Sequence, residues 1–191
     1  MKLLLRSASA LALATAALSA HAVLFDFESV AAGTAVPFSY TVSGLTASFT
    51  GGSGFRVNAT SPSTPGFSGR TLADNAGGYT GGLSVAFDSP LSAFSTAFGT
   101  SAPTTLTLTA FLGNVQVGTA TAPSTMSAGF SSPGGTVGFS GTLFDRVAFS
   151  TPQLQMSFDN LNVTPAPTPE PSALAALGLG AFAFVNRRRR A

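Results

Sequence analysis

The 191-residue sequence contains no cysteine and no tryptophan, and its one histidine and one lysine are His21 and Lys2. Without cysteine the chain can form neither a disulfide framework nor a thiolate metal site. Removal of the first 22 residues, argued below, would also leave it without imidazole or lysine. These absences exclude Ser-His-Asp triads, Cys-His pairs, lysine Schiff bases and histidine metal sites. Of the side chains that commonly carry catalysis or bind metals, the carboxylates remain.

Charge is also scarce, because only 8% of the residues are charged, against roughly 25% in ordinary soluble domains. Most of the basic residues lie at the two ends of the chain. Between residues 23 and 168, three arginines stand against six acidic residues, a net charge of −3. A surface that binds nucleic acid needs clustered basic residues, so this composition argues against nucleic-acid partners. The 45% hydrophobic content argues against disorder.

The first 22 residues have the pattern of a secretory signal peptide. A charged start with Lys2 and Arg6 is followed by a short apolar stretch rich in alanine and leucine, which ends in Ala20-His21-Ala22. Small residues at positions 20 and 22 form the small-x-small site that a signal peptidase cleaves. Cleavage after Ala22 would make Val23 the new N-terminus. A membrane anchor or a core helix is the alternative interpretation of this segment.

The last 27 residues, 165–191, combine a spacer, an apolar segment and a basic end. The spacer has four prolines within residues 165–171 and is predicted to be extended. The apolar segment 172–186 predicts a short transmembrane helix, and its central 13 residues would cover about 20 Å of a ~30 Å hydrocarbon core. Four arginines at 187–190 predict a cytoplasmic end. A buried C-terminal helix with a basic tail is the alternative.

The residues of this end resemble the PEP-CTERM sorting domain of Gram-negative bacteria. The resemblance lies in Pro169, Glu170 and Pro171, the hydrophobic helix that follows, and the cluster of Arg187, Arg188, Arg189 and Arg190. It implies transient anchoring in the inner membrane, processing by an exosortase-type membrane enzyme, and delivery to the cell surface or an exopolysaccharide matrix. Glu170, the one charge in the spacer, would be the recognition handle. A permanent tail anchor with a linker is the alternative.

Residues 23–164 predict one all-β domain, an antiparallel two-sheet sandwich of jelly-roll type. Apolar and polar residues alternate over 45–50 and 83–88, as in half-buried strands. Gly113-Asn114 predicts a two-residue hairpin turn. The pattern places six residues of this hairpin on one face: Leu106, Leu108, Ala110, Leu112, Val115 and Val117.

Three further segments, 136–140, 144–150 and 154–163, are predicted to be strands. In the last of them the apolar positions change from even to odd, so we expect a bulge or break at Asp159-Asn160. Residues 51–54 and 60–82 are rich in glycine, proline and serine and are predicted to be loops.

The carboxylates of this domain suggest a structural calcium ion, whose protein ligands are oxygens. Asp26 and Glu28 are predicted on one face of the first strand, and Asp159 in the bulge of the last, which runs beside the first strand in jelly rolls. This arrangement resembles carbohydrate-binding-module-like sandwiches that carry calcium there. In the alternative interpretation these are solvated strand faces and a turn-forming Asp-Asn pair. No other cofactor is predicted.

Three functions remain open for the domain. The first is a non-enzymatic protein of the cell surface or exopolysaccharide matrix. The second is a carbohydrate-binding module that uses Tyr40, Tyr79 or an exposed phenylalanine as a sugar platform. The third is a glycoside hydrolase with two carboxyl groups across a cleft, which we rank last because such enzymes usually hold sugars with tryptophan and tyrosine.

Overall fold

The computed structural model describes residues 21–51, 54–59, 63–74, 82–152 and 155–167, and the ten elements assigned within them are all β-strands. The strands are β1 (Val23–Phe25), β2 (Phe38–Val42), β3 (Leu45–Gly51), β4 (Phe55–Asn58), β5 (Thr71–Asp74), β6 (Leu83–Thr100), β7 (Thr105–Leu112), β8 (Val115–Pro123), β9 (Gly134–Ser150) and β10 (Met156–Pro165). The predicted all-β class is therefore confirmed. Among these residues, no helix has the length and apolar character that a membrane crossing requires. The predicted signal helix and C-terminal helix lie outside the described residues.

Every strand pairing is antiparallel, and the two long strands β6 and β9 organise the sheet. The first part of β6 pairs with β3, and its second part pairs with β10. The second part of β9 pairs with β7, whereas its first part pairs with the second part of β6. This pairing creates two half-sheets. The first contains β2, β3, β7 and β8 with the first part of β6 and the second part of β9. The second contains β1, β4, β5 and β10 with the second part of β6 and the first part of β9.

The chain has no tryptophan, and phenylalanine side chains fill the space between the half-sheets. Phe149 of β9 and Phe158 of β10 have ring centroids 4.6 Å apart, and Phe94 lies 5.9 Å from Phe149. Eight of the largest fully buried side chains are phenylalanines: Phe25, Phe27, Phe49, Phe55, Phe98, Phe144, Phe149 and Phe158. Through their pairings the ten strands form one connected antiparallel sheet, and the two-sheet jelly-roll sandwich stays a prediction.

The hairpin predicted at Gly113-Asn114 is present, with Leu112 paired to Val115 and Gly113 at a φ of 58°. The apolar face predicted for this hairpin does not extend to its tip. A register shift between Ala110 and Phe111 turns the tip of the hairpin, so that Leu112 is 41% exposed and Val115 67% exposed. The apolar face therefore contains Leu106, Leu108 and Ala110, which are fully buried, and Val117, which is partly buried against the core.

Three other expectations from the sequence meet different outcomes. The break expected at Asp159-Asn160 is confirmed, since the register of β10 shifts between Asp159 and Asn162 and Asn160 has a φ of 53°. The loop predicted over 60–82 is wrong at β5, whose four residues are all buried and so show no alternation. The strands predicted at 136–140 and 144–150 are parts of the single strand β9.

Candidate functional site

Most of the predicted processing residues lie outside the described part of the chain, and so does Tyr79. They are Ala20, Pro169, Glu170, Pro171, Arg187, Arg188, Arg189 and Arg190. Ala22 is described, and it is exposed immediately before β1. The compact unit that contains the strands runs from Ala20 to Ala166. The predicted processing sites therefore lie at or beyond the two ends of this unit.

Asp26 and Glu28 do not lie on a strand face as predicted, because β1 ends at Phe25. Phe27 has a φ of 63°, a left-handed conformation that few residues other than glycine adopt. Asp26 Oδ1 accepts a hydrogen bond from the backbone N–H of Glu28 at 3.1 Å. This short-range bond supports a turn at residues where alternation predicted a strand.

Asp159 is fully buried in β10 and holds a neighbouring loop. Its Oδ2 accepts a hydrogen bond from the backbone N–H of Ser68 at 2.8 Å, and its Oδ1 accepts one from that of Asn160 at 2.7 Å. The Asn160 side chain donates to the carbonyl of Gly66 at 2.9 Å. The bulge of the last strand therefore fastens residues 63–70, which we call the 63–70 loop.

Glu28 fastens the other end of the 63–70 loop. Its Oε1 accepts a hydrogen bond from the backbone N–H of Arg70 at 2.7 Å. The Arg70 guanidinium donates at 2.7 Å to each of the carbonyls of Glu28 and Val30. Gly69 lies so close to the Glu28 carboxylate that a Cβ at this position would overlap its oxygens. Glu28, Asp159 and the loop thus form one connected region.

Burial raises the pKa of Asp159 from its ordinary value of 3.8 to about 6. The hydrogen bonds from Ser68 and Asn160 lower this pKa, and the negative charges of Glu28 and Asp26 raise it. Among the described residues, no three His, Cys, Asp or Glu side chains form a group that could hold a metal. Calcium at Asp26, Glu28 and Asp159 stays a prediction.

Tyr40 lies beside this region in β2. Its ring is 5.5 Å from that of Phe25 in an edge-to-face arrangement, so one side of the ring packs on the core. Its hydroxyl accepts a hydrogen bond from Ser29 Oγ at 3.0 Å and donates one to Asp26 Oδ1 at 3.5 Å. These contacts fix the orientation of Tyr40, and its role as a sugar platform stays a prediction.

A groove of about 350 Å³ crosses the second half-sheet, and Asp26, Glu28 and Asp159 are not among its lining residues. Its lining comes from four strands or their flanks: Ala22, Ala93, Phe94, Ser95, Gly138, Phe139, Ser140, Asn162 and Thr164. Register explains why distant residues meet here, because Ser95 of β6 pairs with Asn162 on one side and Gly138 on the other. The groove was not predicted from the sequence, where its signal is a series of small polar residues at outward strand positions.

The comparisons with known proteins give one family match, and it lies at the C-terminus. Residues 167–190 match the family described as the PEP-CTERM protein-sorting motif, which confirms the resemblance found in the sequence. No curated protein matches the chain.

Solved structures with some similarity include three that contain carbohydrate-binding modules. A family 6 module studied by binding sub-site dissection is 16% identical, with a TM-score of 0.37 over 75% of this chain and 93% of its own. The CBM22-1–GH10 modules of a Clostridium thermocellum endo-1,4-β-D-xylanase, complexed with xylohexaose, are 12% identical, with a TM-score of 0.37 over 61% of this chain and 25% of theirs. A CBM4 structure is 9% identical, with a TM-score of 0.28 over 77% and 88%. At these scores the similarity assigns no ligand to this chain.

Proposed function

Since residues 167–190 carry the PEP-CTERM protein-sorting motif, we propose that the protein is exported, held briefly in the inner membrane and processed there by an exosortase-type enzyme. It then resides at the cell surface or in the exopolysaccharide matrix, where the β domain has a non-enzymatic role. The match at 167–190 is the observation that carries this proposal.

The physical properties of the C-terminal residues support this order of events. An apolar segment too short for the full hydrocarbon core still slows translocation, and the four arginines after it hold the end in the cytoplasm. Because prolines on either side of Glu170 disfavour helix and central-strand structure, we expect the motif to be open to a membrane enzyme. The predicted signal peptide would start the export that brings the chain there.

The contacts of the carboxylates support a non-enzymatic role for the β domain. Several acidic residues between 23 and 168 accept a hydrogen bond from a backbone N–H: Asp26, Glu28, Asp88, Asp145 and Asp159. Such bonds fasten loops and turns. A glycoside hydrolase needs two carboxyl groups facing each other across a substrate cleft, so this interpretation ranks last.

Carbohydrate binding is the second candidate, and the groove on the second half-sheet favours it. The groove is lined by hydroxyl and amide groups together with alanine, glycine and phenylalanine residues. Those are the chemical groups that meet the hydroxyls and the C–H faces of sugars. In this alternative the domain binds extracellular polysaccharide without altering it.

Substitution of the motif tests the proposal. The triple variant Pro169→Ala, Glu170→Ala, Pro171→Ala should stay with the inner-membrane fraction, while the wild-type protein is recovered from the cell exterior. Pro165→Ala is the matched control, since it removes a spacer proline that precedes the matched residues 167–190 and should be delivered like the wild type. Delivery of the triple variant in wild-type amount and form would contradict the proposal.

A further inference from the structure

The floor of the groove consists of side chains in two adjacent rows, each of which runs across the strands from β10 through β6 to β9. In one row, Asn162 pairs with Ser95, and Ser95 pairs with Gly138. In the next row, Thr164 pairs with Ala93, and Ala93 pairs with Ser140. Residues two apart on a strand face the same side, so both rows point outward. Small side chains in the middle of the rows leave room for a ligand along the sheet surface.

The polar groups of this floor are available to a ligand. Within the part of the chain that the structure describes, the side chains of Asn162, Ser95 and Ser140 have no hydrogen-bond partner. Asn162 and Ser140 are exposed, and Ser95 is half-buried. An amide and two hydroxyls offer both donors and acceptors, which is what a ligand with many hydroxyls requires.

Among the described residues, no charged side chain lines the groove. Ala93 and Gly138 add apolar surface between the polar groups, and Leu24 of β1, which pairs with Asn162, is 46% exposed at the side. Polar groups that alternate with apolar patches match a pyranose, whose hydroxyls lie around the ring and whose C–H bonds lie on its faces. A volume of about 350 Å³ also lies within the range of small-ligand sites.

The N-terminus forms one end of the groove. Ala22 is a lining residue, and it is also the residue after which signal peptidase is predicted to cut. Cleavage there removes Ala22, opens that end of the groove and leaves the α-amino group of Val23, which is mostly protonated at neutral pH, beside that end. An open end suits an internal stretch of a polymer better than a single terminal sugar.

We propose that the groove over β1, β10, β6 and β9 binds a neutral polysaccharide chain through the side chains of Asn162, Ser95 and Ser140. This inference rests on the proposed function, since it names the matrix component that the exported protein contacts. It places sugar binding away from Tyr40, on a surface that strand register creates.

The test uses the protein recovered from producing cells and the polysaccharide of their extracellular matrix, separated by anion exchange into neutral and acidic fractions. Affinity electrophoresis should show retardation of the wild-type protein by the neutral fraction. Asn162→Ala should weaken binding about tenfold, the effect of losing one or two hydrogen bonds. Ser95→Glu, which puts a charge on the floor of the groove, should abolish binding.

Thr109→Glu is the matched control, because Thr109 is a half-buried, outward residue in the middle of β7 on the first half-sheet. It should bind like the wild type, and thermal melts should show that all three variants fold. Binding to the acidic fraction alone, binding that no groove variant alters, or no binding to either fraction would each overturn the inference. If the wild-type protein reaches the matrix but binds neither fraction, the groove inference fails and the proposed function stands. If the protein never leaves the cell, the proposed function fails.

Discussion

The buried carboxylate of Asp159 accepts a hydrogen bond at 2.8 Å from the backbone N–H of Ser68, which lies 91 positions earlier in the chain. Through this bond the last strand holds the 63–70 loop, whose other end is fixed by Glu28 and Arg70. A carboxylate in such a place lacks most of its hydration, so burial raises the pKa of Asp159 to about 6. The stability of the domain should therefore depend on pH.

The pKa of Asp159 predicts that stability falls as pH rises from about 4 to about 6. Below 3.8 the group is protonated in both states, and above about 6 it is ionised in both. Between these values the folded state binds more protons than the unfolded state, so raising the pH favours unfolding. Melting temperatures across this range should show the decline in the wild-type protein.

Asp159→Asn is the control for the pH dependence, because an amide cannot ionise. The difference in melting temperature between wild type and variant should change mainly between pH 4 and 6, with the wild type relatively more stable at the acidic end. A difference that is constant over this range would contradict the assignment of the raised pKa to Asp159.

Gly69→Ala should destabilise the domain more than Gly113→Ala does. Both glycines have a φ of 58°, so both substitutions place a side chain in the left-handed region, which costs about 1 kcal/mol. The Cβ at Gly113 would meet nothing within 4 Å, whereas that at Gly69 would overlap the Glu28 carboxylate. Urea unfolding of the two variants should show the larger loss for Gly69→Ala, and equal losses would count against the close contact.

The calcium prediction is tested by thermal melts with and without Ca²⁺. Asp26 and Glu28 both raise the pKa of Asp159, and a divalent cation would relieve this repulsion. We expect millimolar-range calcium, typical of weak extracellular sites, to raise the melting temperature, with the shift absent in Asp159→Ala. An unchanged melting temperature in the wild-type protein would end the prediction.

Local patterns were enough to predict some elements of the fold. The turn at Gly113-Asn114 follows from residue type, and the break at Asp159-Asn160 follows from the change of apolar positions. β5 could not be predicted in this way, because all four of its residues are buried and alternation disappears. Alternation predicted only residues 83–88 of β6. Proline is rare inside strands, so nothing in the pattern indicated that β6 continues past Pro90 to Thr100.

The candidate site shows a similar limit. Alternation placed Asp26 and Glu28 on a strand, but the left-handed conformation of Phe27 and the hydrogen bond from Glu28 N–H to Asp26 form a turn instead. The groove depends on which residues of β10, β6 and β9 lie opposite one another. Strand register of this kind is a property of the whole fold, and no single segment of the sequence encodes it.

The intact mass of the protein recovered from the cell exterior tests the central claim most directly. The account predicts a chain that begins at Val23 and ends near Pro169–Pro171, without the apolar segment and the four arginines, together with the mass of any attached group. A recovered chain that still carries residues 172–191 would contradict it, because the C-terminus would then be a permanent anchor.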